Sequence, residues 1–328
     1  MNNRIRSVRF FAPVLTLCAA IFCGASLAQN FPNHTVTFIV GYSPGGAIDQ
    51  SARLLAQELS KRWGQPIVVD NRPGANGTIA ATAVANAKPD GYTILVTATS
   101  HNLNKFVNKD LRYDVEKSFS PVAMTVDVSN ILVVKADAPY QTLDQFITAV
   151  KAAPEQFSYA SQGIGGIPHL AGEMFKLKTG TRIMHVPYKG AAQGMTDLIG
   201  GIVDMSMPST GSVMNFIEQG KLRALAVASN QRFKQLPNVP TFAESGVPDF
   251  IVSTWHGLLA PAGTPPEIVF KINADVNEII QTEAFKNALL TQGSVAAEPL
   301  TPDQFSQRLK KELKIYGEVA SAINLGAQ

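Results

Sequence analysis

Cysteine is nearly missing from this chain, and its position matters more than its number. Among 328 residues there are two, Cys18 and Cys23, both close to the N-terminus. Around them Arg4, Arg6 and Arg9 form a basic start, Phe10 to Leu27 is largely apolar, and Ser26-Leu27-Ala28 ends the run with small residues. That order predicts a secretory signal peptide over residues 1–28, cut between Ala28 and Gln29. Leu17 and Phe22 precede the cysteines, where a lipoprotein site needs a small residue. The exported chain would then carry no cysteine, which excludes a disulfide, a thiol nucleophile and a cysteine metal site.

Charge of one sign is also missing. The signal segment takes three arginines and no acids, leaving 25 basic side chains against 25 acidic ones. Nothing in that balance points to nucleic acid. No later run approaches the length of a membrane span, so an exported soluble protein is expected. The five histidines, His34, His101, His169, His185 and His256, show no HxH or HExxH spacing, so no metal is expected. A G-x-S-x-G elbow, a G-x-x-x-x-G-K-[ST] phosphate loop and a complete G-x-G-x-x-G are all lacking. No catalytic residue, enzyme activity or cofactor is expected.

Glycine, by contrast, is concentrated in two turns. An apolar run, Phe38-Ile39-Val40, enters Gly41-Tyr42-Ser43-Pro44-Gly45-Gly46, and a helical pattern leaves from Ala47. About 120 residues later Ser161-Gln162-Gly163-Ile164-Gly165-Gly166 repeats the arrangement ahead of Pro168-His169-Leu170. A strand delivered through glycine into a helix start presents amides without intrahelical partners and a partial positive charge. Glycine lets a ligand approach that backbone, which suits an anion. One such turn in each half of the chain predicts a cleft between two domains.

Strands at 36–40, 67–69 and 92–97 alternate with helices from Ala47 to Trp63 and from about 78 to 87, which reads as parallel βαβ units with ligands at the strands' C-terminal rim. A second set begins at Asn130. Thr142 with Gln145 predicts a capping box, as do Thr301 with Gln304 and Thr264 with Glu267. Strands follow at 158–160, 182–186, 203–207 and 222–228, with helices near 191–199 and 211–219. A strand is expected at 253–259.

Candidate ligand contacts follow from the rim. In the first turn they are Tyr42, Ser43, Gly45 and Gly46. Asp49, one turn into the helix, either complements the helix dipole, fixes the turn, or meets a ligand's ammonium or hydroxyl. Thr97, Thr99 and Ser100 bring hydroxyls to the end of the third strand. In the second turn the candidates are Ser161, Gly163, Gly165 and Gly166, with His169 either bracing the turn or touching ligand. Tyr188 and Lys189 follow the strand at 182–186; Lys189 is either a solvated charge or a contact.

The residues also carry a family resemblance. Pro44-Gly45-Gly46-x-x-Asp49-x-x-Ala52-Arg53, Arg72-Pro73-Gly74-Ala75-Asn76-Gly77, Pro89-Asp90-Gly91-Tyr92-Thr93, Ser161–Leu170, Val186–Gly190, Asp197–Gly201 with Asp204, Pro240–Gly246 and Trp255-His256-Gly257-Leu258 together resemble the Bug family, the substrate-binding receptors of tripartite tricarboxylate transporters. The match spans nearly the whole exported chain in order. It implies a type II periplasmic binding protein of α/β class, two βαβ domains around a central ligand cleft. Residues 29–128 plus 229–328 would form domain 1 and 129–228 domain 2. The resemblance further implies that the segments Tyr42–Gly46 and Ser161–Gly166 pinch one carboxylate of a small ligand, with ordered waters. The expected partners are the ligand and the transporter's membrane subunits, and a periplasmic monomer is expected. Two other readings stay open: a receptor of this fold presenting its ligand to a sensor, and a secreted α/β enzyme using Asp49 and His169.

Overall fold

The β-branched run Val36–Val40 (β1) is buried along nearly its whole length, as expected of an inner strand with both faces covered. In this computed structural model, which describes residues 31–322 apart from 164, 165, 189 and 293, β1 sits between Ile67–Asn71 (β2) and Thr93–Ala98 (β3), parallel to both. The helix Ala47–Trp63 (α1) connects β1 to β2 and buries Ala52, Leu55, Ala56 and Leu59. Gly64 ends it in the left-handed region at φ 64°, its N–H donating to the Ser60 carbonyl. A short helix, Thr78–Ala85 (α2), makes the second crossover.

Beyond β3 the pattern departs from simple βαβ. Ser100–Val107 (α3) leads to a long strand, Phe119–Ser129 (β4), and Ser253–Pro261 (β10) inserts antiparallel between β3 and β4. The first sheet therefore runs β2-β1-β3-β10-β4. The second runs β7-β6-β8-β5-β9, from Ile131–Lys135 (β5), Ser158–Ser161 (β6), Met184–Pro187 (β7), Met205–Ser206 (β8) and Leu222–Val227 (β9). The helices Leu143–Ala152 (α4), Ile167–Thr179 (α5), Ala191–Gly200 (α6) and Thr210–Glu218 (α7) pack on it. Since β6, β7 and β8 are parallel neighbours, the starts of α5, α6 and α7 share one rim.

The chain passes between sheets at Asn130, whose N–H donates to the Val252 carbonyl at 2.9 Å while its own carbonyl accepts from Ala228 at 2.8 Å. The sequence reading places the return crossing after residue 228, where a Pro-rich connection begins; Val252 donates its N–H to the Ala228 carbonyl at 3.0 Å, and β10 starts at Ser253. Phe242, Val247, Phe250 and Val252 are buried in the second sheet's core, which holds the intervening segment against that half.

Three helices close the chain: Pro266–Gln281 (α8), Glu283–Thr291 (α9) and Pro302–Ala322 (α10). Thr301 and Gln304 form the reciprocal capping box expected of them, at 2.8 and 3.2 Å. Thr264 does not cap α8; its hydroxyl donates to the Pro261 carbonyl at 2.7 Å, and Pro265 takes the cap position. α10 spans both halves. Phe305, Leu309 and Leu313 enter the first core, and Tyr316 and Val319 enter the second. Between them Arg308 makes a two-pronged pair with Asp127 at 2.8 and 3.0 Å and reaches Glu312, which accepts from the Trp255 indole at 2.8 Å. The expected signal peptide lies outside the described residues. Among those that are described, no helix is long and apolar enough to cross a membrane.

Candidate functional site

The first turn is built around Asp49. Its carboxylate is buried and accepts from the Gly45 N–H at 2.8 Å, Arg53 Nε at 3.0 Å and Asn71 Nδ2 at 2.8 Å. Burial alone would raise its pKa, but hydrogen bonds from Arg53, Gly45 and Asn71 hold it below the ordinary carboxylate range. The side chain thus fixes the turn from beneath, and the Gly45 amide is engaged within the protein. Gly45 needs its left-handed φ of 81°. Gly46 is the N-cap of α1, in extended conformation at φ −75° and ψ 166°, with no side-chain cap. The amides left for an anion are accordingly those of the helix's first residues, Ala47 onward, and residues 43–47 are exposed.

Tyr42 ties this turn to the end of β3. Its hydroxyl bonds Ser100 Oγ and Thr97, and burial raises its pKa. Thr99 turns inward: its hydroxyl donates to the Ser253 carbonyl at 3.3 Å and accepts from the Trp255 N–H at 2.9 Å. That places Thr99 in the join between β3 and β10.

The second turn rises from β6. Ser161 Oγ lies 2.6 Å from His185 Nε2 and accepts from the Gly163 N–H at 3.1 Å. Gly163 sits at φ 114°, which only glycine adopts without strain. Gly166 is the N-cap of α5, extended at φ −77° and ψ 163°, again with no side-chain cap. Beneath the turn His169 stacks on His185 at 4.1 Å between ring centres, and Tyr159 stacks on the other side at 4.8 Å. Burial, with help from His169, lowers the His185 pKa to about 4, so the ring is neutral at physiological pH. Burial also lowers His169. Gly165 lies outside the described residues.

Tyr188 donates its N–H to the Ser161 carbonyl at 2.9 Å and its hydroxyl to Asp197 at 2.7 Å; burial and that carboxylate push its pKa up to about 12. Lys189 lies outside the described residues. Gly190 then starts α6, extended at φ −168° and ψ 164°, also without a side-chain cap. By contrast, α4 is capped by Thr142 and α9 by Thr282, each accepting from a first-turn amide at 3.3 Å. α1, α5 and α6 share an extended glycine N-cap, which brings no side chain of its own to the first amides; in α5 the second residue, Pro168, has no N–H to offer.

Tyr42, Asp49, Thr97 and Ser100 thus form one group on the first sheet's rim. Ser161, Gly163, His169 and Tyr188 form another on the second. His185 belongs with the second group; it stands 24 residues from Ser161, in a strand without periodic character, and no local signal marks it. Among the described residues no cluster of three or more His, Cys, Asp or Glu is placed to hold a metal.

Residues 51–325 match the family described as tripartite tricarboxylate transporter family receptor. Protein BugT of Bordetella pertussis is 37% identical over 294 residues, covering 89% of this chain and 90% of that one. A TctC solute-binding protein from Polaromonas, solved with no ligand, superposes with a TM-score of 0.84 at 31% identity, over 89% of this chain and all of its own. Rpa4515 of R. palustris, solved with adipate, superposes with a TM-score of 0.68 at 33% identity, over 89% of this chain and 98% of its own.

Proposed function

The chain belongs to the tripartite tricarboxylate transporter receptor family, whose members are periplasmic solute-binding proteins, and from that premise we propose that it captures a small carboxylate between its two glycine turns and delivers it to the membrane subunits of such a transporter. The observation that carries this is the shared design of α1 and α5. Each is a helix at the end of a central strand, started by a glycine in extended conformation with no side chain on its first amides, and the two stand on different sheets. One carboxylate can accept from both only when the sheets approach, so binding would favour a closed form. Export through the N-terminal segment and monomeric action in the periplasm belong to the same reading.

A thermal-shift screen of the purified chain against a carboxylate panel tests it. A ligand at about 100 times its Kd adds about 2.7 kcal/mol of stability, enough to raise the melting temperature by a few degrees. Deleting the chain should also abolish cellular uptake of that ligand. Turnover of a carboxylate by the purified protein, or a folded protein that no carboxylate stabilises, would refute the receptor.

A further inference from the structure

Beside the second turn, between α6 and α7 and against the sheet at Ala160 and Ser206, lies a cavity of about 380 Å³. That size falls in the range of small-molecule pockets, about 300–1,000 Å³. Ser161, Gln162 and Gly190 belong to its lining, so it is continuous with the rim described above. Its body is walled by Met195, Ile199 and Phe216.

The hydroxyls in this wall are already engaged. Thr196 Oγ1 donates to the Ala192 carbonyl at 3.0 Å, Ser206 Oγ to Ala160 at 3.0 Å and Ser212 Oγ to Ser209 at 2.8 Å. Ser161 Oγ directs its one proton to the Gly163 carbonyl or to His185. A hydroxyl has a single proton to give, so these four present no donor to the cavity. Among the described residues none that lines it is charged. Gln162 is the one described lining side chain with an amide to donate, and an anionic group placed away from it, among Met195, Ile199 and Phe216, would lose its water and find apolar carbon. The side toward Gly190 is the reverse, because α6 starts there without a side-chain cap and Ala191 and Ala192, its first residues, line the cavity.

We infer that the ligand is a monocarboxylate whose uncharged, largely apolar body, a ring or branched chain, fills this cavity while its carboxylate stays at the glycine turns. This rests on the carboxylate-receptor reading and names the ligand class. A second carboxylate on the end that lies among Met195, Ile199 and Phe216 would meet apolar side chains, so dicarboxylates of similar length are disfavoured.

Calorimetric titration of the full exported chain tests the inference, with benzoate and cyclohexanecarboxylate set against adipate and malate. The cyclic monocarboxylates should bind at least about a hundredfold more tightly, with a negative heat-capacity change from apolar burial. Phe216→Ala, checked for folding by its melting temperature, should weaken cyclohexanecarboxylate about tenfold or more. The same variant should leave acetate, which has no body, at wild-type affinity. Should adipate or malate bind as tightly as the cyclic acids, the ligand class is wrong and the receptor reading stands. Equal effects of Phe216→Ala on acetate and cyclohexanecarboxylate would show that the body lies elsewhere. If the folded protein binds no carboxylate at all, both readings fall.

Discussion

Replacing Gly46 by serine should move affinity and stability in opposite directions. Gly46 is the N-cap of α1 at φ −75° and ψ 166°, the extended conformation that a serine N-cap adopts. A Cβ built there meets only the Ser43 carbonyl oxygen at 3.5 Å, an ordinary contact. The new hydroxyl would accept from the amide of Ile48 or Asp49, the second and third residues of the helix. The fold gains a few tenths of a kcal/mol from the cap and roughly 0.4–1 kcal/mol from a less flexible unfolded chain. The melting temperature should therefore rise by about 1–4 °C. The ligand loses a charge-assisted hydrogen bond worth about 1.5–3 kcal/mol, so Kd should rise about 10- to 150-fold. Gly46→Ala is the companion measurement: it adds the same carbon without an acceptor and should cost less affinity. Calorimetric titration beside differential scanning calorimetry reads both quantities. A folded Gly46→Ser protein that keeps wild-type affinity would refute the claim that these amides hold the carboxylate. Equal losses in the two variants would assign the effect to bulk instead.

The positive φ of Gly163, 114°, with only an ordinary contact to the Tyr188 carbonyl at 3.9 Å for an added Cβ, means that Gly163→Ala suffers strain and no clash; it should lower the unfolding free energy by roughly 1–3 kcal/mol in urea titration, while Gly166→Ala, at φ −77°, loses less than about 1 kcal/mol. Arg308→Met strands the half-buried Asp127 carboxylate and should cost about 1–3 kcal/mol, part of which Asp127→Asn on the same background should restore. His256 is buried, its Nδ1 lies 2.9 Å from Ser51 Oγ, and burial lowers its pKa to about 4. Because the unfolded chain takes up the proton first, near pH 6.5, stability present at neutral pH is lost as pH falls from there toward 4. Between pH 7 and 5.5 the advantage of wild type over His256→Asn should shrink by about 1 kcal/mol, measured from urea midpoints; an advantage constant with pH would contradict a neutral, buried ring.

What could be read in the sequence was whatever local chemistry dictates. The strand–glycine–helix passage from Phe38 to Trp63, its stop at Gly64 and the capping boxes at Thr142 and Thr301 each depend on residues within one or two turns of each other. β4 could not be read so, since its ladder partner, β10, lies more than 120 residues further on and Pro121 interrupts its strand pattern. The reason Gly257 is needed is equally non-local. A Cβ there would stand 2.8 Å from the Phe305 ring on α10 and 3.1 Å from the Ala123 carbonyl on β4, contacts that exist only once α10 has packed and β4 has paired. In the site, the glycine turns and the rim hydroxyls were legible as residue types placed after strands. Their division of labour was not. That Asp49 engages the Gly45 amide and Thr99 faces Trp255 follows from side-chain directions that spacing does not encode. Met195 and Phe216 were invisible as cavity walls, because in the sequence they are ordinary apolar positions of two amphipathic helices.

The helix α10, with one end in each core, has a practical consequence for anyone building a sensor from this receptor. If ligand draws the two sheets together as proposed, the points that stay still would lie near the crossings at 129–131 and 252–253 and near the stretch of α10 around Arg308 and Glu312. A fluorophore attached there would sit on the fulcrum and report little. One at the exposed tip of the first turn, Ser43 to Gly46, rides the end of the lever, and paired with one beside Gly190 it would register the stroke as a change in distance. With no cysteine expected in the exported chain, such labels could be placed singly and without background.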